Sequence, residues 1–491
     1  MPLTDPGVAW RLETAPRAAV FIDMADYFLA ARAAMQRATR SIHLLNWAFE
    51  ADTLFDPQPG CEGPDEDRFG TFLKALAGGN AGLDVRLLCW KSALPIAATQ
   101  NFFPWRDEAL FRGSAVKFVL DGRLPVGACH HQKMIVIDDA VAFCGGGDIG
   151  PDRWDTVLHL DDDPRRETRP AGKKCYDSRH ELMALVDGPP ARALGDLFRD
   201  RWRRATGEAL QAQDRLPPNA WPPGLEPGFR DIRVGISRTV AAWRDYPDVR
   251  EAKALTLASI AAAKRSIYLE NQYFTSPIVA EALAARLEEP NGPEVVIVST
   301  QHSPSWFDRM TMDRTRSNFI RRLKKADTHG RFRAYSPVTT LGRTIIVHAK
   351  LAIIDDDLLR IGSANMNNRS TGFDTECDMT FEAAGESAAA SRARIAAVRT
   401  RLLAHWLGCS DALMDETIEA AGGLGAALEA LRQSGHCRLL PIEPKPLGPL
   451  ATFIATFHIG DPVGSTDSWR LFKRRRQLDA EVTALAKELR R

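Results

Sequence analysis

The stretch His131-Gln132-Lys133-Met134-Ile135-Val136-Ile137-Asp138 decides the fold, because it returns as His348-Ala349-Lys350-Leu351-Ala352-Ile353-Ile354-Asp355. Each copy reads as a strand, an apolar and partly β-branched run, the first closed by a turn at Asp138-Asp139. Side chains alternate along a strand, so His131 and Lys133 share one face, roughly 7 Å apart, while Asp138 has the opposite parity. The pattern therefore presents an imidazole and an ammonium together and sets the carboxylate aside. At this composition His-x-Lys-x-x-x-x-Asp should occur by chance only ~0.02 times per chain. Lys is also scarce relative to Arg, which makes Lys at both third positions informative. A small-residue turn follows each copy, Gly145-Gly146-Gly147-Asp148 after the first and Gly362-Ser363-Ala364-Asn365 after the second.

Working outward, the repetition extends over most of the chain. Arg40-Ser41-Ile42-His43-Leu44-Leu45-Asn46-Trp47 is echoed by Arg265-Ser266-Ile267-Tyr268-Leu269-Glu270-Asn271-Gln272, each preceded by a helical apolar stripe. Further strands follow in both halves at Val85–Trp90 and Val295–Ser299, then at Val116–Leu120 and Phe332–Tyr335. Each half closes with a helix that ends near Trp202 or Trp406. Ser276 reads as a helix cap ahead of Pro277. Strands alternating with helices predict an α/β fold: two pseudo-symmetric α/β/α halves, each a mixed, mostly parallel sheet flanked by helices, sharing one active site. The proline-rich run Leu216–Gly224 marks the joint. The expected units are 1–222, 223–440 and a tail, 441–491, that packs on the body.

Composition bounds the function. Hydrophobic content of 45% and charged content of 26% are globular values, and the net charge of +1 supplies no basic field for nucleic acid. The eight cysteines are scattered without a Cys-x-x-Cys pair, which predicts reduced thiols rather than a zinc or disulfide framework. Neither a secretory leader nor a membrane span is legible, so a cytoplasmic or peripheral-membrane location is expected, with signal-less export left open.

Two half-sites brought together supply the parts for phosphodiester cleavage. A neutral imidazole can attack phosphorus and form a phosphohistidine, while a protonated one donates to the leaving oxygen. Lys133 and Lys350, helped by Ser363 and Asn365 and grouped with Asp148, are candidates to bind the phosphate oxygens. These fixed donors can do what a metal would otherwise do, so no metal requirement and no cofactor are predicted. A carboxylate on the second ring nitrogen would fix each tautomer. Asp138 and Asp355 belong to the catalytic motifs but have the wrong parity for this and are expected to bond backbone. Glu181 and Glu376, each at the start of a strand after the small-residue turn, are the better candidates. His130, His43, His159, His180 and His405 read as core or surface histidines. The basic runs Arg321–Lys325 and Lys473–Arg476 read as solvated faces.

His130-His131-Gln132-Lys133, Gly145–Asp148 with Arg153-Trp154-Asp155, Glu270–Phe274 and Ile361–Ser370 resemble the blocks of the phospholipase D superfamily, and of phospholipase D proper within it, over about residues 20–410. The resemblance implies His131 as nucleophile and His348 as acid. It further implies hydrolysis of a glycerophospholipid at a membrane surface to phosphatidate and free headgroup, with alcohol able to replace water. A phosphatidyltransferase of the cardiolipin synthase kind, a nuclease of the same fold and an inactive lipid-binding scaffold are the alternatives. No protein partner is predicted.

Overall fold

The computed structural model describes residues 2–60, 63–92, 103–150, 152–166, 175–212, 220–435 and 438–489. The first four residues of the proline-rich joint, Leu216 to Asn219, and Cys61 and Cys437 lie outside the described residues. The first half contributes β1 (Arg11–Ile22), β2 (Ser41–Asn46), β3 (Asp84–Trp90), β4 (Lys117–Asp121), β5 (Met134–Ile137), β6 (Val141–Gly145), β7 (Arg179–His180) and β8 (Leu182–Asp187). The second contributes β9 (Phe229–Val240), β10 (Val249–Arg250), β11 (Ser266–Asn271), β12 (Glu294–Val298), β13 (Phe332–Pro337), β14 (Ile346–Val347), β15 (Lys350–Ile354), β16 (Leu358–Gly362) and β17 (Glu376–Glu382), and β18 (Leu439–Pro441) follows.

Apart from β7 and β14, which pair with each other in a separate ribbon, these strands form one continuous sheet in the order β18-β13-β12-β11-β15-β16-β17-β9-β1-β8-β6-β5-β2-β3-β4, with β10 beside β9. Read inward from β4 or from β13, the two halves place equivalent strands in the same order and meet at the β1–β9 seam. Parallel pairing is confined to β2–β3–β4 and β11–β12–β13 in this sheet, so the expectation of mostly parallel halves is corrected to a mixed sheet. The reason lies in the connections. Helices Phe69–Gly79, Pro277–Glu288 and Trp306–Ala326 cross over between outer strands. After each motif strand, by contrast, an acidic pair turns the chain back at once, and a tight turn can only join antiparallel strands. Asp138, Asp139, Asp355 and Asp356 all have left-handed backbone, with φ of 55, 55, 55 and 61°.

β5 and β15 are buried along their whole length, which their unbroken apolar runs require. Trp202 and Trp406 sit in a core common to both halves, and each half adds an outer core of its own. Ser276 does occupy the cap position of Pro277–Glu288, but its hydroxyl bonds nothing there. Residues after Pro441 return to the body: helix Leu471–Leu489 packs on Pro277–Glu288, and Asp461 accepts from the Arg369 N–H at 2.9 Å. The basic runs are only partly solvated faces. Arg322 pairs with Glu281 and Glu288, Lys324 pairs with Glu443, and Arg474 is buried against Asp467.

Candidate functional site

The two motif strands reach the same place because each is tied to the opposite half. The residue before His348 pairs in parallel with the residue before Glu181, Val347 with His180 in the β7–β14 ribbon. The same relation joins His130 to Thr375, the residues before His131 and Glu376. The backbone N–H of His131 donates to Thr375 O at 2.9 Å, and that of His348 to His180 O at 2.8 Å. Both bonds follow one pseudo-twofold relation.

The consequence is an exchange of carboxylates. His131 Nδ1 lies 3.0 Å from Glu376 Oε2 of the second half and 3.0 Å from the Ser363 carbonyl. His348 Nδ1 makes a very short contact with Glu181 Oε2 of the first half. With Nδ1 engaged, the free nitrogen of each ring is Nε2. Lys350 is among the cations that push His131 below its ordinary value, and Lys133 among those that act on His348, so all four motif side chains share one electrostatic neighbourhood. Burial is the largest cause for both rings, and both are held well below the usual histidine range.

The carboxylates respond to burial in the opposite direction. Glu181 is pushed up to about 7, and Glu376 is raised well above its ordinary value. Each pair thus holds its proton jointly, since the buried site disfavours charge on either member. Lys350, fully enclosed, is pushed down to about 7. It bonds the His348 carbonyl and lies 3.0 Å from His348 Nδ1. Lys133 donates to His131 O at 2.7 Å and faces Asp148 Oδ2 at 3.4 Å.

Several predicted site residues have other duties. Asp138 accepts the N–H groups of Thr39, Arg40 and Ser41 at 2.7–2.8 Å, and Asp355 those of Lys264, Arg265 and Ser266 at 2.6–2.8 Å. Neither reaches an imidazole; each fastens its motif strand to the chain entering β2 or β11. Asp148 is corrected from phosphate ligand to anchor. It takes the Trp47 and Ala48 N–H groups, both at 3.0 Å, and balances Lys133, and its own negative charge would repel phosphate. Ser363 spends its hydroxyl on Glu376 Oε2 at 2.5 Å, so it supports the carboxylate instead of offering that hydrogen to phosphate. Asn365 Oδ1 is buried with no hydrogen-bond partner. His130 turns away to Asp121 Nε2–Oδ2 at 2.8 Å and to Thr375.

Sequence reasoning missed Ser370, which donates to Glu376 Oε1 at 2.6 Å, and Arg179, one of the cations acting on His348. The missing signal was three-dimensional: β7–β14 carries Arg179 across to the second motif. It also missed a close approach. A Cβ at Gly146 would fall on Glu181 Oε1, so glycine is needed where the second half has Ser363.

The profile of the "Cardiolipin synthase, PLD-like domain" family matches residues 256–396. The chain is 24% identical over 425 residues to phospholipase D A of Dictyostelium discoideum, a match that covers 74% of this chain and 32% of that protein. It is 25% identical over 479 residues to phospholipase D alpha 3 of Arabidopsis thaliana, covering 70% of this chain and 58% of that one. The chain is thus similar, over most of its length, to proteins of the phospholipase D superfamily. It spans about a third to three-fifths of the length of these two relatives. Among solved structures, the phosphatidylserine synthase of Haemophilus influenzae Rd KW20 superposes with a TM-score of 0.52 at 11% identity, over 97% of this chain and 96% of that one, a likeness of fold. Both copies of the His-x-Lys-x-x-x-x-Asp pattern are complete in this chain, and each is tied to the opposite half.

Proposed function

We propose that this chain cleaves the phosphodiester of a glycerophospholipid through a phosphohistidine, releasing the headgroup alcohol and passing the phosphatidyl group to water or to a second alcohol. The observation that carries the reading is the exchanged pairing of His131 with Glu376 and His348 with Glu181. His131 Nε2 attacks phosphorus while its Nδ1 proton is held by Glu376 and the Ser363 carbonyl. The bond to the headgroup oxygen breaks, and that oxygen takes the Nε2 proton of His348, whose Nδ1 faces Glu181. The incoming hydroxyl then gives its proton back to His348 as its oxygen attacks phosphorus, and His131 leaves. Lys133 and Lys350 bind the non-bridging oxygens, each contact worth on the order of 3 kcal/mol by analogy with oxyanion-hole donors.

Charge supports this order of roles. Lys350, Arg179, Arg153 and Lys133 all act on His348. A ring among so many cations gives up its proton readily, which suits the acid. A group of exposed aromatic side chains suits contact with a bilayer: Trp306, Phe307, Phe453, Trp469 and Phe472, of which Trp306 and Trp469 are 74% and 78% exposed. The phosphatidyltransferase reading draws on the same intermediate and on the cardiolipin synthase name of the matching family.

Vesicles of phosphatidylcholine, phosphatidylethanolamine and phosphatidylglycerol, with and without added glycerol, and single-stranded DNA in parallel, test the proposal. Phosphatidate release from a lipid and a phosphoryl group trapped on residue 131 are expected. Cleavage of DNA alone, or label confined to residue 348, would overturn the substrate or the order of roles respectively.

A further inference from the structure

Behind Glu181 lies a buried group that the two-histidine chemistry does not use. Asp23, His159, His180 and His405 each offer one ligand atom, and these atoms all lie within 4.8 Å of one another. His180 is not free to bind anything further. Its Nδ1 meets Asp23 Oδ1 at 2.9 Å and its Nε2 meets Glu270 Oε2 at 2.7 Å, so both nitrogens carry protons toward carboxylates.

The other three are different. Asp23 Oδ2, His159 Nε2 and His405 Nε2 are all buried and have no hydrogen-bond partner. Leaving three such atoms unsatisfied together is costly, and native interiors rarely do so without a reason. Asp23 Oδ2 stands 3.5 Å from His159 Nε2, close to the roughly 3.3–3.4 Å edge of a tetrahedral zinc site with bonds near 2.0–2.1 Å. His159 Nδ1 faces Asp155 Oδ2 at 2.9 Å, which fixes the tautomer and turns the Nε2 lone pair into the cluster. A carboxylate behind a ligand histidine is the usual outer support of a metal site. The His405 ring lies beside that of His159, with 5.0 Å between ring centroids. The backbone is also strained to reach this arrangement. Asp23 has φ 67° and ψ 164°, a region open essentially to glycine, and His159 has φ 43°.

We propose that Asp23 Oδ2, His159 Nε2 and His405 Nε2 bind one divalent transition-metal ion of the zinc class. Two imidazoles and one carboxylate form a borderline donor set that prefers such an ion to calcium or magnesium. The ion is not at the reacting phosphorus. It fastens Asp23, whose backbone N–H donates to the Glu181 carbonyl at 2.8 Å and whose Oδ1 accepts the Glu181 N–H at 3.1 Å. It also joins β1's exit, the loop carrying His159 and the helix Ala388–Leu407, elements drawn from both halves. Asp23, His159 and His405 are thus positioning residues for the Glu181–His348 pair.

The test uses the full chain stripped with chelator and titrated with Co(II), read by ligand-field absorption and by thermal unfolding, with Zn(II) competition. One equivalent of Co(II), displaced by Zn(II) and raising Tm, is expected. His405→Gln and His159→Gln, in place of two ligands, should each weaken binding by ~10–100-fold or more, while His302→Gln should leave it unchanged. His405 is only half-buried, so its variant is the one expected to stay folded. Absence of a Co(II) spectrum in the folded wild-type chain, or equal affinity in wild type and His405→Gln, would overturn the proposal. Neither result would bear on the phosphohistidine reading, which uses none of these three side chains.

Discussion

The His131 and His348 pockets are built from one sequence pattern repeated, and their surroundings differ. Around His131 the carboxylate Glu376 is steadied by two hydroxyls, Ser363 Oγ and Ser370 Oγ, and Lys133 has its own counter-ion in Asp148. Around His348 the serine is replaced by Gly146, Glu181 Oε1 accepts only its neighbour's N–H at 3.1 Å among the described bonds, and Arg153 and Arg179 bring additional positive charge. Arg153 and Arg179 each leave a buried Nε without a partner, and both are tied to Asp152. Two copies of one motif can therefore carry different proton affinities, because local sequence sets the ring and the opposite half sets its environment.

The largest expected effect breaks the equivalence outright. His131→Ala and His348→Ala should each lower turnover of a natural lipid by ~10⁴-fold or more, with circular dichroism unchanged. They should part company on a phosphodiester with a nitrophenol leaving group, which needs no protonation. There His348→Ala regains a burst of nitrophenol and His131→Ala does not. Equal rescue of both variants would mean that the two rings are interchangeable.

A smaller effect sharpens the comparison through pH. Glu181 and Lys350 are both placed at about 7 by burial. As pH falls through this value Glu181 gains a proton and His348 loses its counter-charge. As pH rises through it Lys350 loses its charge and phosphate binding weakens. A bell-shaped kcat/KM profile near neutrality follows, and Glu181→Gln should lower its peak by ~10²–10³-fold and remove the acid limb, by analogy with orienting carboxylates elsewhere. Glu376→Gln should lower activity while keeping that limb; loss of the limb in both variants would assign it elsewhere.

The smallest effect concerns the serines. Ser363→Ala and Ser370→Ala each remove one hydroxyl from Glu376, at about 1–2 kcal/mol or roughly tenfold in kcat. Ala at Gly146 acts on the other pocket by crowding Glu181 and should cost at least as much. Steady-state kinetics on all three variants checks this ranking, and a silent Gly146→Ala would show that the close approach is not needed.

Much of this was legible in the chain. Repetition of the motif, of the strand at Ser41 and Ser266 and of the closing tryptophans gave the two halves, because a duplicated pattern survives as hydrophobic spacing and turn chemistry. Strand parity kept Asp138 and Asp355 away from the rings. Parallel or antiparallel pairing was not legible, since a buried strand shows the same apolar run in either direction. Asp148 and Ser363 were misread as phosphate ligands because their partners, the N–H groups of Trp47 and Ala48 and the carboxylate of Glu376, lie 13 to 101 residues away in sequence.

Sequence alone determined which side chains the two motifs set side by side, since alternation along a strand places histidine and lysine on one face wherever that strand lies. Only the tertiary structure decided that each histidine is held by the other half's glutamate, and that Asp23, His159 and His405 meet behind one of those pairs. Contacts between segments so far apart arise from how the seam and the β7–β14 ribbon fold the halves together, and no local pattern of residues encodes that placement.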